Sequence, residues 1–495
     1  MKHLLLLIWL LVSASLAFAQ FKIFGDIRGG KMPDSVYINI PFVYGYHTEN
    51  TFGIAVNKNG SFSSIIAVKN KRFGTININR KMFTLLLTPG KSLYLNIKGA
   101  DTTIAGFKGS YRAENQFVSS LGFEEVPFFF TDTTFSKLTL PQLKEQMISR
   151  WFAMRDKNLN RVQASDLSPF DKRLISQEIS ANAILKLNDF ARTTLATGRP
   201  QVFELVEEVY KGAELHANVL PAGPQYYAFA NSYISYLETM AIKGFPLGAL
   251  KDPKTFIKYF DITIREGDSI IKNKGKQYLN WTVARKQFGK AEGENWLAQA
   301  IEDKYLTKDL YQAKPLYTDF KRYYPQSIYL PEFEAKINRL EKALAENMTN
   351  KEIVVANDYE TITSIYDVVK TLKGKVVYLD IWGTWCGPCK HELKYVPELK
   401  KHFKNKDVAY IYLDMDADDK DSQWRDFIRI NGMTGVHLRK SSQAIQAFWN
   451  ELMPAGGTRY YPTYFIFDKQ GNLVQADAKR PSNRAELYEQ IEKYL

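Results

Sequence analysis

Between Phe21 and Phe107 apolar and polar positions alternate in short runs: Phe21–Arg28, Val36–Ile40, Phe52–Val56, Phe62–Val68, Thr75–Ile78, Phe83–Leu87, Leu93–Ile97 and Thr103–Phe107. Turn-forming residues separate the runs, notably Lys58-Asn59-Gly60 and Thr88-Pro89-Gly90. Regular short strands with such punctuation predict an all-β sandwich or small barrel over residues 20–110. From 111 to 346 the period lengthens. Leu143, Met147, Ile148, Trp151 and Phe152 form one stripe at helical spacing. Leu174, Ile175, Ile179, Ala183 and Leu187 form another, and Ile337, Leu340 and Leu344 a third. Pro141, Pro200 and Pro331 fall where a first helical turn tolerates proline, so this stretch is expected to be a mainly α-helical domain. No fixed repeat period emerges. Tyr226, Tyr227, Tyr233 and Tyr236 fit either a helical core or the lining of a peptide-binding groove. Glu346–Asn350 is polar enough to serve as a linker.

The texture changes again at Lys351. Val376–Ile381, Val408–Leu413 and Tyr464–Phe467 are near-continuous apolar runs, the first broken only by Asp380. Helical patterns lie between and after them, at roughly 388–404, 422–430, 441–452 and 482–494. Strands alternating with helices predict an α/β domain over 351–495, with helices on both faces of a sheet.

The N-terminus sets the expected compartment. Lys2 and His3 precede an apolar run, Leu4–Val12, and Ala17-Phe18-Ala19 places small residues before Gln20. That is the pattern of a signal peptide over residues 1–19, cleaved after Ala19. The run is shorter than the roughly 18 residues of a spanning helix, and no cysteine stands at the cleavage point for lipid attachment. With no later stretch apolar enough to span a bilayer, an extracytoplasmic, periplasmic-type protein without a transmembrane segment is expected. The chain has 495 residues, which suggests about three domains. Its net charge of +13 would ordinarily point to nucleic acid. Export removes that partner, and the lysines are dispersed as on a solvated basic surface.

Both cysteines of the chain sit in one motif, Trp385-Cys386-Gly387-Pro388-Cys389, at the end of a buried strand and the start of a helix. Two cysteines so close cannot staple a large fold; the pattern is chemical. A helix N-terminus favours a thiolate at Cys386. Cys389, one turn on, is placed to displace a mixed disulfide. Half of a zinc site, which would lack its second ligand pair, and an inert structural disulfide are the other readings. No metal and no cofactor is expected.

Residues 374–389, Gly-Lys-Val-Val-Tyr-Leu-Asp-Ile-Trp-Gly-Thr-Trp-Cys-Gly-Pro-Cys, resemble the first strand and active-site loop of the thioredoxin superfamily, and within it the TlpA/ResA-like exported disulfide reductases. The resemblance covers about 145 residues. The opening Phe-Lys-Ile-Phe-Gly-Asp-Ile and the Asn-Gly-Ser-Phe hairpin are similar to the β-domains ahead of thioredoxin domains in exported Bacteroidetes proteins. The resemblance implies that Cys386 attacks a client disulfide and Cys389 resolves it. It implies that Asp380, six residues before Cys386, accepts the resolving thiol's proton, and that Glu392, three after Cys389, matches the glutamate of ResA-like reductases. A carboxyl among Val377, Leu379 and Ile381 should have a raised pKa; an Asp at a strand end bonded to an amide, and a solvated helix-face Glu, are the plainer alternatives. Pro462 falls where the family has a cis-proline, so Tyr461 and Pro462, with Trp385, Gly387 and Pro388, are the expected client contacts.

Two departures accompany the resemblance. An aromatic near Tyr412 occupies the place of the lysine that faces thioredoxin's buried acid, and Lys394 stands where a helix-kinking proline is usual, Pro397 following later. The stretch Asp416–Met453 is placed like the TlpA-type insertion. The expected function is reduction of disulfides in exported client proteins, recharged by a membrane electron donor. An oxidase or isomerase at the same site, or a peptide- or glycan-binding protein with an auxiliary redox domain, are the alternatives.

Overall fold

The computed structural model describes residues 20–195, 199–246, 248–417, 420–454, 456 and 458–495. The signal segment expected over residues 1–19 lies outside these. Eight strands come first: β1 (Gln20–Arg28), β2 (Ser35–Asn39), β3 (Thr51–Ala55), β4 (Ser61–Ala67), β5 (Arg72–Ile78), β6 (Lys81–Leu87), β7 (Ser92–Lys98) and β8 (Thr103–Lys108). Each coincides with one of the alternating runs. They form two four-stranded sheets, ordered β4-β1-β7-β8 and β3-β2-β5-β6. Alternate residues point inward, so Phe21, Ile23 and Leu95 of one sheet share a core with Val36, Ile38 and Ile76 of the other. That is a sandwich. Gly60 turns the β3–β4 connection at φ 85°, where a Cβ would stand 2.2 Å from the Ile27 carbonyl oxygen.

The following region is helical, as its period predicts. Its longest described helix, α1 (Pro169–Thr193), opens with Pro169 in the first turn and Ser168 as its cap, the serine Oγ accepting from Asp171 N at 3.1 Å. Glu178 on α1 is buried and caps a second helix, α2 (Pro224–Lys243). It accepts from the amides of Gly223 and Gln225 at 2.8 Å each and Tyr226 at 3.4 Å, and burial pushes its pKa up to about 7. The tyrosines of α2 pack inside this region. Tyr226 donates to Glu292 at 2.6 Å, Tyr236 stacks on Tyr210 at 4.5 Å, and Tyr233 meets Tyr210 edge-on at 5.8 Å.

The chain divides into two compact units. One runs to Asp303 and includes Asp319–Ser327; the other comprises Lys304–Thr318 and Ile328–Leu495. In the second unit, helix α3 (Leu330–Asn347) leads to a six-stranded sheet. Its strands are β9 (Ile353–Val355), β10 (Val376–Trp382), β11 (Val408–Asp414), β12 (Gly435–Arg439), β13 (Thr463–Phe467) and β14 (Leu473–Gln475). The order is β9-β12-β11-β10-β13-β14, with β9, β12, β11 and β10 parallel, β13 antiparallel to β10, and β14 antiparallel to β13. The helices are α4 (Ile365–Lys370), α5 (Gly387–Glu392), α6 (Val396–His402), α7 (Asp421–Ile430), α8 (Ile445–Leu452) and α9 (Ala485–Glu492).

Every residue of β10 is buried, because helices cover both faces of the sheet. Val376 and Tyr378 pack with Leu399 and Phe403 beside α6 and with Leu487 and Ile491 of α9. Val377, Leu379 and Ile381 pack instead with residues of α4, α7 and α8. α3 packs on α7. The single helix expected over 388–404 is two, α5 and α6: the chain turns through Leu393–Tyr395, and Pro397 sits in the first turn of α6.

Candidate active site

β10 delivers the chain to the cysteine motif at the edge of its own core. Gly383 follows the strand, and a side chain there would collide with Trp385, whose Nε1 lies 2.7 Å from an ideal Cβ. Thr384 is anchored to the end of the neighbouring strand: its amide donates to Asp416 Oδ1 at 3.0 Å and its hydroxyl to Asp416 Oδ2. Burial raises the pKa of both Asp414 and Asp416. The loop is thus tied down before α5 begins.

Cys386 caps α5, with Pro388 in the first turn. The two sulfurs are bonded at 2.02 Å, and Cys386 Sγ accepts from the Cys389 amide at 3.1 Å. Both cysteines are buried, at 3% and 1% exposure; what distinguishes them is the amide donated to Cys386, which favours its thiolate. Around Cys386 the surface is open. Trp385 is 57% exposed, and Gly387 and Pro388 are exposed. Tyr461 lies beside Trp385, its ring edge-on at 5.7 Å, and its hydroxyl accepts from Trp449 Nε1 at 3.3 Å. The Tyr461–Pro462 peptide is cis and Pro462 is buried. Trp385, Gly387 and Pro388 thus flank the cysteines in the chain, and Tyr461, which precedes Pro462, lies beside Trp385.

Behind the cysteines lie two carboxyl groups. Asp380 is 3% exposed, and its Oδ1 has no hydrogen-bond partner. Burial, reinforced by the charge of Glu392, holds its pKa well above the usual carboxylate range. Glu392, the last residue of α5, is 5% exposed. Its Oε2 accepts from Ser482 N at 2.9 Å and its Oε1 from Ser482 Oγ at 3.0 Å. His391 Nδ1 stands 3.8 Å from Glu392 Oε1. Neither carboxyl is a solvated surface group.

Sheet register adds residues that the sequence did not single out. Asp380 pairs with Tyr464 on β13 and with Tyr412 on β11, and Tyr412 pairs with His437 on β12. The aromatic expected in place of lysine thus does stand beside the acid. Tyr412 stacks on His437 at 4.8 Å, whose pKa burial lowers to about 3. A lysine is nearby from another element: Lys400 of α6 lies over the Tyr412 ring at 5.2 Å and donates to Thr434 Oγ1 at 2.9 Å. Burial lowers its pKa to about 7. Tyr412 was legible from its strand position; His437, Lys400 and Ser482 carried no local signal.

In the C-terminal domain a buried parallel strand leads to paired cysteines at a helix start, with a buried carboxyl on the same strand and a cis-proline just ahead of the adjacent strand β13, the arrangement of a thioredoxin-like fold. Residues 347–491 match the Redoxin family. Thiol-disulfide oxidoreductase ResA of Bacillus thuringiensis (strain Al Hakam) is 35% identical over 128 residues, covering 26% of this chain and 65% of that protein. ResA of Bacillus subtilis (strain 168) is 31% identical over 105 residues, 21% of this chain and 53% of its own. The chain therefore spans just under two thirds of the length of the first of these relatives and about half of the second. The solved thioredoxin domain of a thiol-disulfide oxidoreductase from Bacteroides vulgatus is 21% identical, covering 25% of this chain and 82% of its own, with a TM-score of 0.22.

Proposed function

We propose that the protein is an extracytoplasmic thiol-disulfide oxidoreductase that reduces disulfides of exported client proteins. Cys386 thiolate attacks a client disulfide, forming a mixed disulfide and releasing the first client thiolate. Cys389 then gives its proton to the buried carboxyl on β10, Asp380, and attacks Cys386 Sγ. The Cys386–client bond breaks, the second client thiolate leaves, and the Cys386–Cys389 bond forms, two electrons having passed to the client. Trp385, Gly387, Pro388, Tyr461 and Pro462 form the surface on which the client strand lies. A membrane electron donor restores the dithiol.

The observation that carries this reading is the buried Cys386–Cys389 pair under an open surface, with the Cys389 amide aimed at Cys386 Sγ. Cell-envelope extracts from cells making the Cys389→Ser variant test it. The variant is expected to accumulate adducts with disulfide-containing envelope proteins, released by dithiothreitol and absent from Cys386→Ser. Equal trapping by both variants would contradict it.

A further inference from the structure

A run of hydrogen bonds joins a buried carboxyl to the attacking cysteine. The Thr384 amide donates to Asp416 Oδ1 at 3.0 Å and the Thr384 hydroxyl to Asp416 Oδ2. In the same loop the Cys386 amide donates to the Gly383 carbonyl at 3.0 Å, so Gly383–Cys386 is a closed turn with Thr384 inside it. Cys386 Sγ then accepts from the Cys389 amide at 3.1 Å at the head of α5. The other end of the run is fixed. Asp416 is 3% exposed; its amide donates to Asp414 Oδ1 at 2.9 Å and its carbonyl accepts from Arg439 Nη1 at 3.2 Å. The preceding amide, of Met415, donates to the Trp382 carbonyl at 3.1 Å. The carboxyl thus projects from backbone held to β10 on one side and to β12 on the other. The charged groups acting on it are Arg439 of β12, Lys390 of α5 and Asp414 of β11. Neither Asp416 nor Thr384 takes part in the bond changes of exchange.

We infer that Asp416 is a positioning residue for the exchange reaction: through Thr384 it holds the Gly383–Cys386 turn so that Cys386 Sγ stays where the Cys389 amide points. The inference rests on the exchange reading above and deepens it. A thiolate gains from a helix-start amide only while its sulfur stays within hydrogen-bond reach, and the gain falls steeply as the geometry loosens. Trp385, Gly387 and Pro388 around Cys386 are exposed, so the turn takes its support from behind, at Thr384. Two contacts from one carboxyl to one residue fix the turn's orientation as well as its distance. The clamp works by geometry and not by charge, so a carboxamide can replace the carboxyl. Its oxygen still accepts from the Thr384 amide, and its nitrogen donates to the Thr384 hydroxyl.

The test is the pH dependence of iodoacetamide alkylation in the reduced full chain, in a Cys389→Ser parent where Cys386 is the sole thiol. That parent keeps the backbone amide at 389. The thiolate is the reactive form, so the pH midpoint of the rate reports how well the turn presents Cys386 Sγ to the helix. Each variant is first shown by its thermal melt to be folded at the assay temperature. Asp416→Ala is expected to move the midpoint upward by about one pH unit, the worth of a hydrogen bond to a charged group. Thr384→Val, which keeps the amide and loses the hydroxyl, should move it the same way by less and add little on top of Asp416→Ala. Asp416→Asn should restore the parent midpoint. A midpoint unmoved in Asp416→Ala overturns the inference. So does a displacement in Asp416→Asn, upward or downward, as large as that in Asp416→Ala. Should Asp416→Ala not fold, Thr384→Val decides: an upward shift supports the clamp and an unmoved midpoint overturns it. A parent midpoint at the free-thiol value of about 8.5 is a distinct result, since it removes the exchange reading itself and the inference with it.

Discussion

A carboxyl held as Asp380 is, 3% exposed on a fully buried strand with one oxygen unpartnered, binds its proton more tightly in the folded chain than in the unfolded one. There it titrates near the ordinary value of about 3.9. From that pH upward, until the folded carboxyl ionises, the folded state carries the extra proton, so stability falls as pH rises. Asp414 contributes in the same direction, and only a difference measurement isolates Asp380. In the oxidised protein, the melting temperature of Asp380→Asn minus that of the wild type should grow by at least about 2 °C between about pH 4 and pH 8. A difference that does not change with pH would show that Asp380 carries no displaced proton. Asp380 was legible in the sequence as the one polar residue in an apolar run, and Glu392 by its spacing from Cys389. Ser482, His437 and Lys400 were not, since register and a turn some ninety residues downstream bring them in.

At the scale of elements, the strands of the sandwich were legible because most of them, as β1 and β7 show, bury alternate residues, and alternation records that directly. In the redox sheet both faces are buried, so the long runs of β10, β11 and β13 were readable. The others were not: β9 and β14 have three residues each, and β12 carries the buried polar side chains of His437 and Arg439. The break between α5 and α6 also lay beyond periodicity, because apolar spacing continues across the turn at Leu393–Tyr395. The stripe at 143–152 runs through one turn of π-helix, Lys144–Ile148, before Ser149–Ala164 resumes α-geometry. Glu178 shows what such patterns omit. It supplies the acceptor for three amides at the start of α2, a helix cap contributed by another helix. Glu178→Ala leaves those amides without it inside a buried site and should cost about 2–4 kcal/mol in urea unfolding. A loss under about 1 kcal/mol would mean that water or a small rearrangement replaces the carboxylate.

Over the whole molecule, changes of period mark changes of element type, whereas compactness follows packing. The sandwich and most of the helices belong to one compact unit, while Lys304–Thr318 and α3 go with the redox sheet. Among the described residues no helix is long and apolar enough to cross a membrane. The paired cysteines lie in the second unit, and the direction of their exchange follows from their reduction potential. Equilibrating the full chain with glutathione and dithiothreitol buffers of graded potential, with tryptophan fluorescence as the reporter, measures this directly. A reversible two-electron transition is expected at or below about −230 mV, within reach of reducing thioredoxins near −270 mV, and no transition in Cys389→Ser. A midpoint close to −120 mV, where strong disulfide donors lie, or no transition in the wild type, would contradict it.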